Sequence, residues 1–110
     1  MLNWKRLRLY EDFFYSSGNY ENAAETVRFF GESALYTRSS TGEKTISRGV
    51  YVFFQSREEL FDDFIDQNRA DLESFCFHKN IEIKPDQAVF RTVFEDGQTA
   101  YQLWIPLKAD

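Results

Sequence analysis

The residues that organise this chain read SREELFDDFIDQNRADLESFCFH and span positions 56–78. Ser56 followed by Glu59 matches a capping box, in which the hydroxyl accepts the Glu amide hydrogen and the Glu carboxylate reaches back. At about 100° per residue, the apolar side chains fall on one stripe and the acidic ones on the opposite side. We therefore predict one long amphipathic helix over residues 57–77. Its apolar stripe consists of Phe61, Phe64, Ile65, Leu72, Phe75 and Cys76.

The acidity of the chain is concentrated in this segment. Residues 56–76 carry seven acids and two bases, a net charge of −5, which equals the net charge of all 110 residues. An acidic face of this kind repels nucleic acid and steers basic partners. A solvated helix face explains the same pattern without a partner. The candidate docking face for a basic protein consists of Glu59, Asp62, Asp63, Asp66 and Glu73.

A second clear signal is the dipeptide Asp96-Gly97, which a type I′ hairpin loop favours because both loop positions need φ > 0. The residues on either side alternate as half-buried strands do. Pro106 has no amide hydrogen to donate, so the last strand is expected to end there or to lie at an edge. With a two-residue loop, the predicted cross-strand pairs are Phe90 with Leu103, Thr92 with Tyr101, Val89 with Trp104, and Arg91 with Gln102.

Residues 34–54 predict another β-hairpin, with the polar run SSTG at residues 39–42 as its turn. Positions 50–54 are all apolar, so this strand is expected to be covered on both faces and to lie centrally in its sheet. Gly49, just before the apolar run, marks a candidate bulge.

The first third of the chain supports two interpretations. The spacing of Tyr10, Phe13 and Phe14 favours a helix over residues 4–16, although residues 4–10 also fit a short strand. A second helix is predicted from Tyr20 onward, ending at Gly31.

Together these elements predict a single α+β domain over residues 1–110. Its antiparallel sheet has about four strands in two hairpins, packed against the long amphipathic helix, with one or two short N-terminal helices. The element order resembles that of the NTF2-like and SnoaL-like rolls, a cystatin-like architecture, and the stretch SRGVYVFF is similar to a place where that family often has a Gly. This resemblance implies an apolar pocket in a curved sheet, with small-molecule binding or dimerisation. The closing stretch YQLWIPL is similar to the last strand of GyrI-like effector domains.

Asn68 falls in the middle of the apolar stripe, where a buried amide needs hydrogen-bond partners. It can bond to a neighbouring strand or water, line a pocket between helix and sheet, or lie at a subunit interface. Arg91 is expected on an exposed face of the last hairpin. The candidate pocket consists of Phe64, Asn68, Leu72, Phe90 and Tyr101.

No catalytic constellation is visible in the sequence. The only His and the only Cys lie two residues apart, so on one helix they point in different directions and cannot pair. No phosphate, nucleophile or metal motif occurs, and we predict neither enzyme activity nor a cofactor. Lys5, Arg6 and Arg8 interrupt the N-terminal apolar run, which argues against a signal peptide, and a lone Cys fits the cytoplasm.

The sequence thus favours a small non-catalytic binding protein, of inhibitor or immunity type, that acts through the acidic helix face or an aromatic face of the sheet. The alternative is a small-molecule-binding roll with an apolar pocket between helix and sheet. Twenty aromatic residues in 110 also make a homodimer a candidate assembly. The expected partner is a protein with a basic surface, a small apolar ligand is the alternative, and neither a membrane nor nucleic acid is expected.

Overall fold

The computed structural model describes residues 2–17 and 23–108, which contain eight strands and two helices. The helices are α1 (Asp63–Gln67) and α2 (Arg69–Lys79), and a short 3-10 turn follows at Pro85–Gln87. The strands are β1 (Lys5–Leu9), β2 (Phe13–Ser17), β3 (Glu25–Phe29), β4 (Tyr36–Ser39), β5 (Lys44–Ile46), β6 (Gly49–Ser56), β7 (Val89–Glu95) and β8 (Gln98–Pro106).

All eight strands form one antiparallel sheet in the order β1-β6-β8-β7-β3-β4-β2-β5. The predicted fold class, four strands packed on a long helix, is therefore wrong. The fold is determined by pairing between strands, and most strands pair with partners that are distant in the sequence. The roll resemblance rested on an element order that begins with two helices, and the described residues begin with strands instead.

The sheet is strongly curled. Two residues, Ser47 and Arg48, connect β5 at one end of the strand order to β6, which is second from the other end. So short a connection brings the two halves of the sheet together. As a result Ile46 of β5 packs in one apolar cluster with Tyr51 of β6 and Val89 of β7. We call this concave side the inner face.

The opposite, outer face carries the two helices. Its core consists of side chains from β6, β7 and β8 that pack against α1, α2 and Trp4. The predicted helix over residues 57–77 is wrong in extent, because residues 57–62 are not helical and Asn68 divides the remainder. The apolar stripe itself faces the sheet through Ile65, Leu72 and Cys76, whereas Phe61 remains 58% exposed.

Ser56 does not cap a helix. It is the last residue of β6 and pairs with Tyr101 of β8, and its hydroxyl accepts the amide hydrogen of Glu58 at 2.9 Å. The Ser-x-x-Glu spacing does fit a capping box, but no helix begins here, because the pairing of β6 with β8 extends to Ser56. The free amide that the serine satisfies belongs to a turn instead of a helix.

Both predicted N-terminal helices are wrong. The first one is replaced by β1 and β2, in agreement with the alternative strand at residues 4–10. The second is replaced by β3, whose partner on one side is β7, 60 to 68 residues away in the registered pairs. Gly31 follows this strand with φ = 78° and forms a turn. Tyr20, the predicted start of the second helix, lies outside the described residues.

The middle segment forms strands, but they do not form a hairpin. Strands β4 and β5 both pair with β2, which lies between them. The connection that contains Gly42 crosses β2, and a Cβ on Gly42 would lie only 2.2 Å from the Tyr15 carbonyl oxygen. The prediction for β6 is confirmed, since it lies between β1 and β8 and Tyr51, Val52 and Phe53 are all buried.

The C-terminal hairpin is confirmed in register. Asp96 and Gly97 have φ of 52° and 73°, as the predicted type of loop requires. All four predicted cross-strand pairs are present, and β8 ends at Pro106. This hairpin is the centre of the sheet, with β6 on one side and β3 on the other.

Candidate functional site

The inner face combines an apolar centre with a charged site at each end. In the centre, Tyr15, Val27, Tyr36, Ile46, Tyr51 and Val89 are all buried. At one end the curled sheet opens into a groove, which we call the mouth groove. At the other end a buried carboxylate lies between two arginines, and we call Glu25, Arg38 and Arg91 the Glu25 cluster.

The mouth groove has a volume of about 560 Å³. Its floor comes from the inner face and its walls from the segments that leave the sheet at this end, so both apolar and charged side chains reach it. A volume of this size suits a small molecule, and the mouth of a curled sheet is a common ligand position. The apolar lining includes Phe29, Phe30, Ile46, Val50, Tyr51, Ala88, Val89, Pro106 and Leu107.

Three cations line the mouth groove: Arg48, Lys84 and Lys108. Among the described residues none of the three forms an ion pair. The backbone amides of all three are nevertheless hydrogen-bonded. Lys84 donates to the Pro106 carbonyl at 2.9 Å, Lys108 donates to the Glu82 carbonyl at 2.8 Å, and Arg48 donates to the Asp12 carboxylate at 2.9 Å.

Two acids also line the mouth groove, but they do not balance the three cations. Glu32 pairs with Lys44 at 3.0 Å, and Lys44 lies outside the lining, so Asp86 is the remaining acid. The Glu32 contact also raises the pKa of Lys44, which therefore stays charged. The groove thus presents an excess of positive charge above an apolar floor.

Tyr51 joins the floor of the groove to the apolar centre. Its hydroxyl donates to the Ser47 carbonyl oxygen, and its ring meets Trp104 edge-on at 5.7 Å. Burial, with a contribution from Asp12, raises the pKa of this phenol. Tyr51 therefore remains neutral, and its ring is a fixed part of the groove floor.

The Glu25 cluster bridges three strands. Both arginines donate from Nε to the Glu25 carboxylate, Arg38 from β4 and Arg91 from β7. Burial of Glu25 opposes its ionisation, but the hydrogen bond from Arg38 and the charge of Arg91 outweigh it and hold the pKa of Glu25 below its usual value. The carboxylate therefore stays ionised, which does not suit a general base near neutral pH.

Neighbouring groups hold the two arginines in place. The Arg38 guanidinium lies 3.9 Å from the centre of the Phe13 ring, which is cation–π geometry. The Nη1 group of Arg91 donates to Gln102 at 3.2 Å, and the Trp104 indole donates to the same amide oxygen at 3.0 Å. Gln102 in turn donates to Gln55 at 3.0 Å.

Tyr15 lies beneath the Glu25 cluster and is completely buried. Its hydroxyl finds no hydrogen-bond partner of satisfactory geometry within residues 2–17 and 23–108. Burial and the nearby charge of Glu25 raise the pKa of this phenol, and the two arginines offset only part of the rise.

The predicted acidic docking face is only partly available. Asp62 is half-exposed and accepts from Arg28 at 2.8 Å and from the Gly31 amide at 3.1 Å. Asp66 pairs with Arg69 at 2.7 Å. The other three predicted members, Glu59, Asp63 and Glu73, are exposed.

The residues of the predicted pocket line the contact between helices and sheet, and most of them pack together there. Leu72 and Phe90 are buried in the outer-face core. Asn68 is satisfied by its own helix, since its side-chain amide donates to the Phe64 carbonyl at 2.9 Å, and it marks the break between α1 and α2. Phe90 and Tyr101 also line a surface groove of about 280 Å³.

Sequence reasoning missed both charged sites of the inner face. The sequence predicts a helix at Glu25 and a hairpin arm at Arg38, and neither prediction brings these two side chains together. One signal existed, since Arg91 was placed opposite Gln102 on the reverse face of the hairpin, and that pair is observed. Arg91 is only 23% exposed and not on an open surface as expected.

The described residues contain no cluster of three or more metal-ligating side chains. Cys76 is a free, buried thiol whose pKa is raised by burial. Within residues 2–17 and 23–108, no helix has the length and apolar character needed to cross a membrane.

Comparison with protein-family models, curated proteins and solved structures finds no match to this chain.

Proposed function

We propose that this chain is a non-catalytic binding protein whose mouth groove takes a small amphipathic ligand with an apolar body and an anionic head. The observation that carries the proposal is the composition of the groove, an apolar floor below three cations without ion-pair partners among the described residues. The lone Cys76, free and buried, favours the cytoplasm as its compartment.

The chemistry of the lining supports this ligand class. An alkyl or aryl body covers Ile46, Tyr51 and Val89, and each buried methylene stabilises the complex by about 0.8 kcal/mol. A carboxylate or similar head group reaches Lys84 and Lys108 at the rim, where an exposed charge pair contributes about 0.2–1 kcal/mol. The apolar body therefore supplies most of the affinity, and the rim charges select the head group.

The test is a calorimetric titration with decanoate, octanoate and decanol below their aggregation limits. Decanoate is expected to bind up to roughly 15-fold more tightly than octanoate, because it buries two more methylenes. It is also expected to bind more tightly than decanol, which has no charge. The double substitution Lys84→Gln and Lys108→Gln should reduce this preference for decanoate over decanol and leave the affinity for decanol unchanged.

A matched pair of tryptophan substitutions locates the site. Ser47 is exposed and lines the groove, so Ser47→Trp should fill it and abolish decanoate binding. Ser40 is also exposed but lies outside the lining, so Ser40→Trp should leave binding intact. Equal binding by both variants, or equal affinity for decanoate and decanol, would refute the proposal.

A second candidate function is docking of a basic protein on the helices, which the exposure of Glu59, Asp63 and Glu73 supports. Under this proposal, the double charge reversal Asp63→Lys and Glu73→Lys should weaken binding of a lysine-rich peptide more than Glu95→Lys and Asp86→Lys do. Equal weakening by both pairs would mean that only the net charge matters.

A further inference from the structure

We infer that the Glu25 cluster is a second binding site, which takes a single oxyanion group, a carboxylate or a phosphate, on Arg38 and Arg91. It lies at the end of the inner face opposite the mouth groove and does not depend on the function proposed for that groove. The cluster borders a groove of about 520 Å³ that Glu25, Arg38 and Arg91 line together with Thr37 and Val93.

The charge balance of the cluster distinguishes it from the other ion pairs. Asp62, Glu32 and Asp66 each pair with one base, whereas Glu25 is paired with two. Glu95 also lines this groove, but it is exposed and makes no ion pair with Arg38 or Arg91 among the described residues. The two guanidinium charges of the cluster therefore share one contacting carboxylate, inside a chain whose overall charge is −5. A single negative group on the ligand restores the balance.

The hydrogen-bonding capacity of the arginines points the same way. A guanidinium has five N–H donors, and each arginine gives its Nε to Glu25. Arg91 uses Nη1 on Gln102, and the Arg38 guanidinium also lies close to the Tyr15 hydroxyl. Both arginines keep further Nη N–H groups that donate to no carboxylate within residues 2–17 and 23–108. Arg38 is 42% exposed, so these donors are accessible from solvent.

The cluster is also rigid enough to recognise a planar or tetrahedral oxyanion. Phe13 holds the Arg38 guanidinium by its face, and Gln102 holds that of Arg91. The arginines are thus fixed before a ligand arrives, which reduces the entropy that binding would otherwise cost. Arginine forks of this kind match the geometry of carboxylate and phosphate groups.

The first experiment titrates the wild-type protein, with ¹⁵N-labelled arginine side chains, by NMR. Sodium phosphate and sodium acetate are added separately against sodium chloride at equal ionic strength. We expect saturable shifts of the Arg38 and Arg91 Nε–H signals with phosphate, acetate or both, and none for Arg57. Saturation with only one of the two assigns that oxyanion as the preferred ligand. The absence of saturable shifts with both would overturn the inference.

The second experiment compares thermal unfolding of the wild type, Glu25→Gln, Arg38→Gln and Arg57→Gln in phosphate and in chloride. Phosphate stabilises proteins in general, so only differences between variants are informative. Glu25→Gln removes the internal competitor and should bind phosphate roughly tenfold more tightly, with a larger rise in Tm than the wild type shows. Arg38→Gln should show a smaller rise than Arg57→Gln. Equal rises in Tm in all four proteins would show that phosphate does not bind the cluster, and that its ion pairs only connect the strands.

Discussion

The β7–β8 hairpin and the strands β2 and β3 belong to the same sheet, but only the hairpin was readable from the sequence. In the hairpin, a two-residue loop fixes the register and each residue finds its partner within 15 residues along the chain. Strands β2 and β3 find partners on β4, β5 and β7, which follow them by 19 to 68 residues in the registered pairs, except at Val27 and Tyr36, where the separation is nine. Local signals therefore decide one region and distant pairings the other.

The largest expected effect tests whether both regions belong to one cooperative core. Leu103 in the hairpin and Val27 in β3 are both completely buried. Leu103→Ala should lower the free energy of unfolding by about 3–4 kcal/mol and Val27→Ala by about 2 kcal/mol, through lost burial and the cavities left behind. Urea denaturation followed by circular dichroism and by tryptophan fluorescence should give coincident transitions. A change below about 0.5 kcal/mol for Val27→Ala would separate β3 from the core.

The next effect compares one glycine from each region. Gly42→Ala places a methyl group against the Tyr15 backbone, which cannot yield as a flexible side chain does, and should cost about 2–3 kcal/mol. Gly97→Ala meets no atom within 4 Å, but its φ of 73° should cost about 1 kcal/mol. If chemical denaturation gave Gly97→Ala the larger loss, the crossing of β2 by the β4–β5 connection would be wrong.

The sequence was informative where chemistry and spacing act over short distances. The dipeptide Asp96-Gly97 located a loop, Pro106 located the end of a strand, and five apolar residues in succession located β6. It was misleading where an apolar pattern is compatible with two periods. Residues 4–16 fit a helical spacing. They form β1 and β2 instead, because β1 pairs with β6 and β2 pairs with β5, strands that come much later in the chain.

The candidate sites were less predictable than the fold for the same reason. Glu25, Arg38 and Arg91 come from three separate strands, and nothing in their sequence spacing brings them together. The acidic helix face was visible at once because its members share one segment. Two of its five members nevertheless make ion pairs within the protein, Asp62 with a β3 arginine and Asp66 with a helix neighbour.

A smaller effect concerns the pH dependence that the Glu25 cluster gives to stability. Because the pKa of Glu25 is lowered in the folded protein, its ionised form stabilises the fold above the usual Glu pKa of about 4.3, and this contribution is lost as the pH falls through the lowered folded value. The advantage of the wild type over Glu25→Gln should therefore shrink as the pH is lowered from 7 to 3. Chemical denaturation at several pH values measures it. A constant difference across this range would contradict the ion-paired state of Glu25.

The smallest expected effect comes from two buried tyrosines of the inner face, and it differs in sign between them. The Tyr51 hydroxyl donates to the Ser47 carbonyl, so Tyr51→Phe should lower the free energy of unfolding by about 1 kcal/mol. The Tyr15 hydroxyl is buried without a partner among the described residues, so Tyr15→Phe removes an unsatisfied group and should raise the free energy of unfolding by up to about 1 kcal/mol. Tyr15 belongs to the region that the sequence misassigned, and Tyr51 to a strand that it located. Equal losses in both variants would show that the Tyr15 hydroxyl is hydrogen-bonded in solution, with the adjacent Arg38 as its candidate donor.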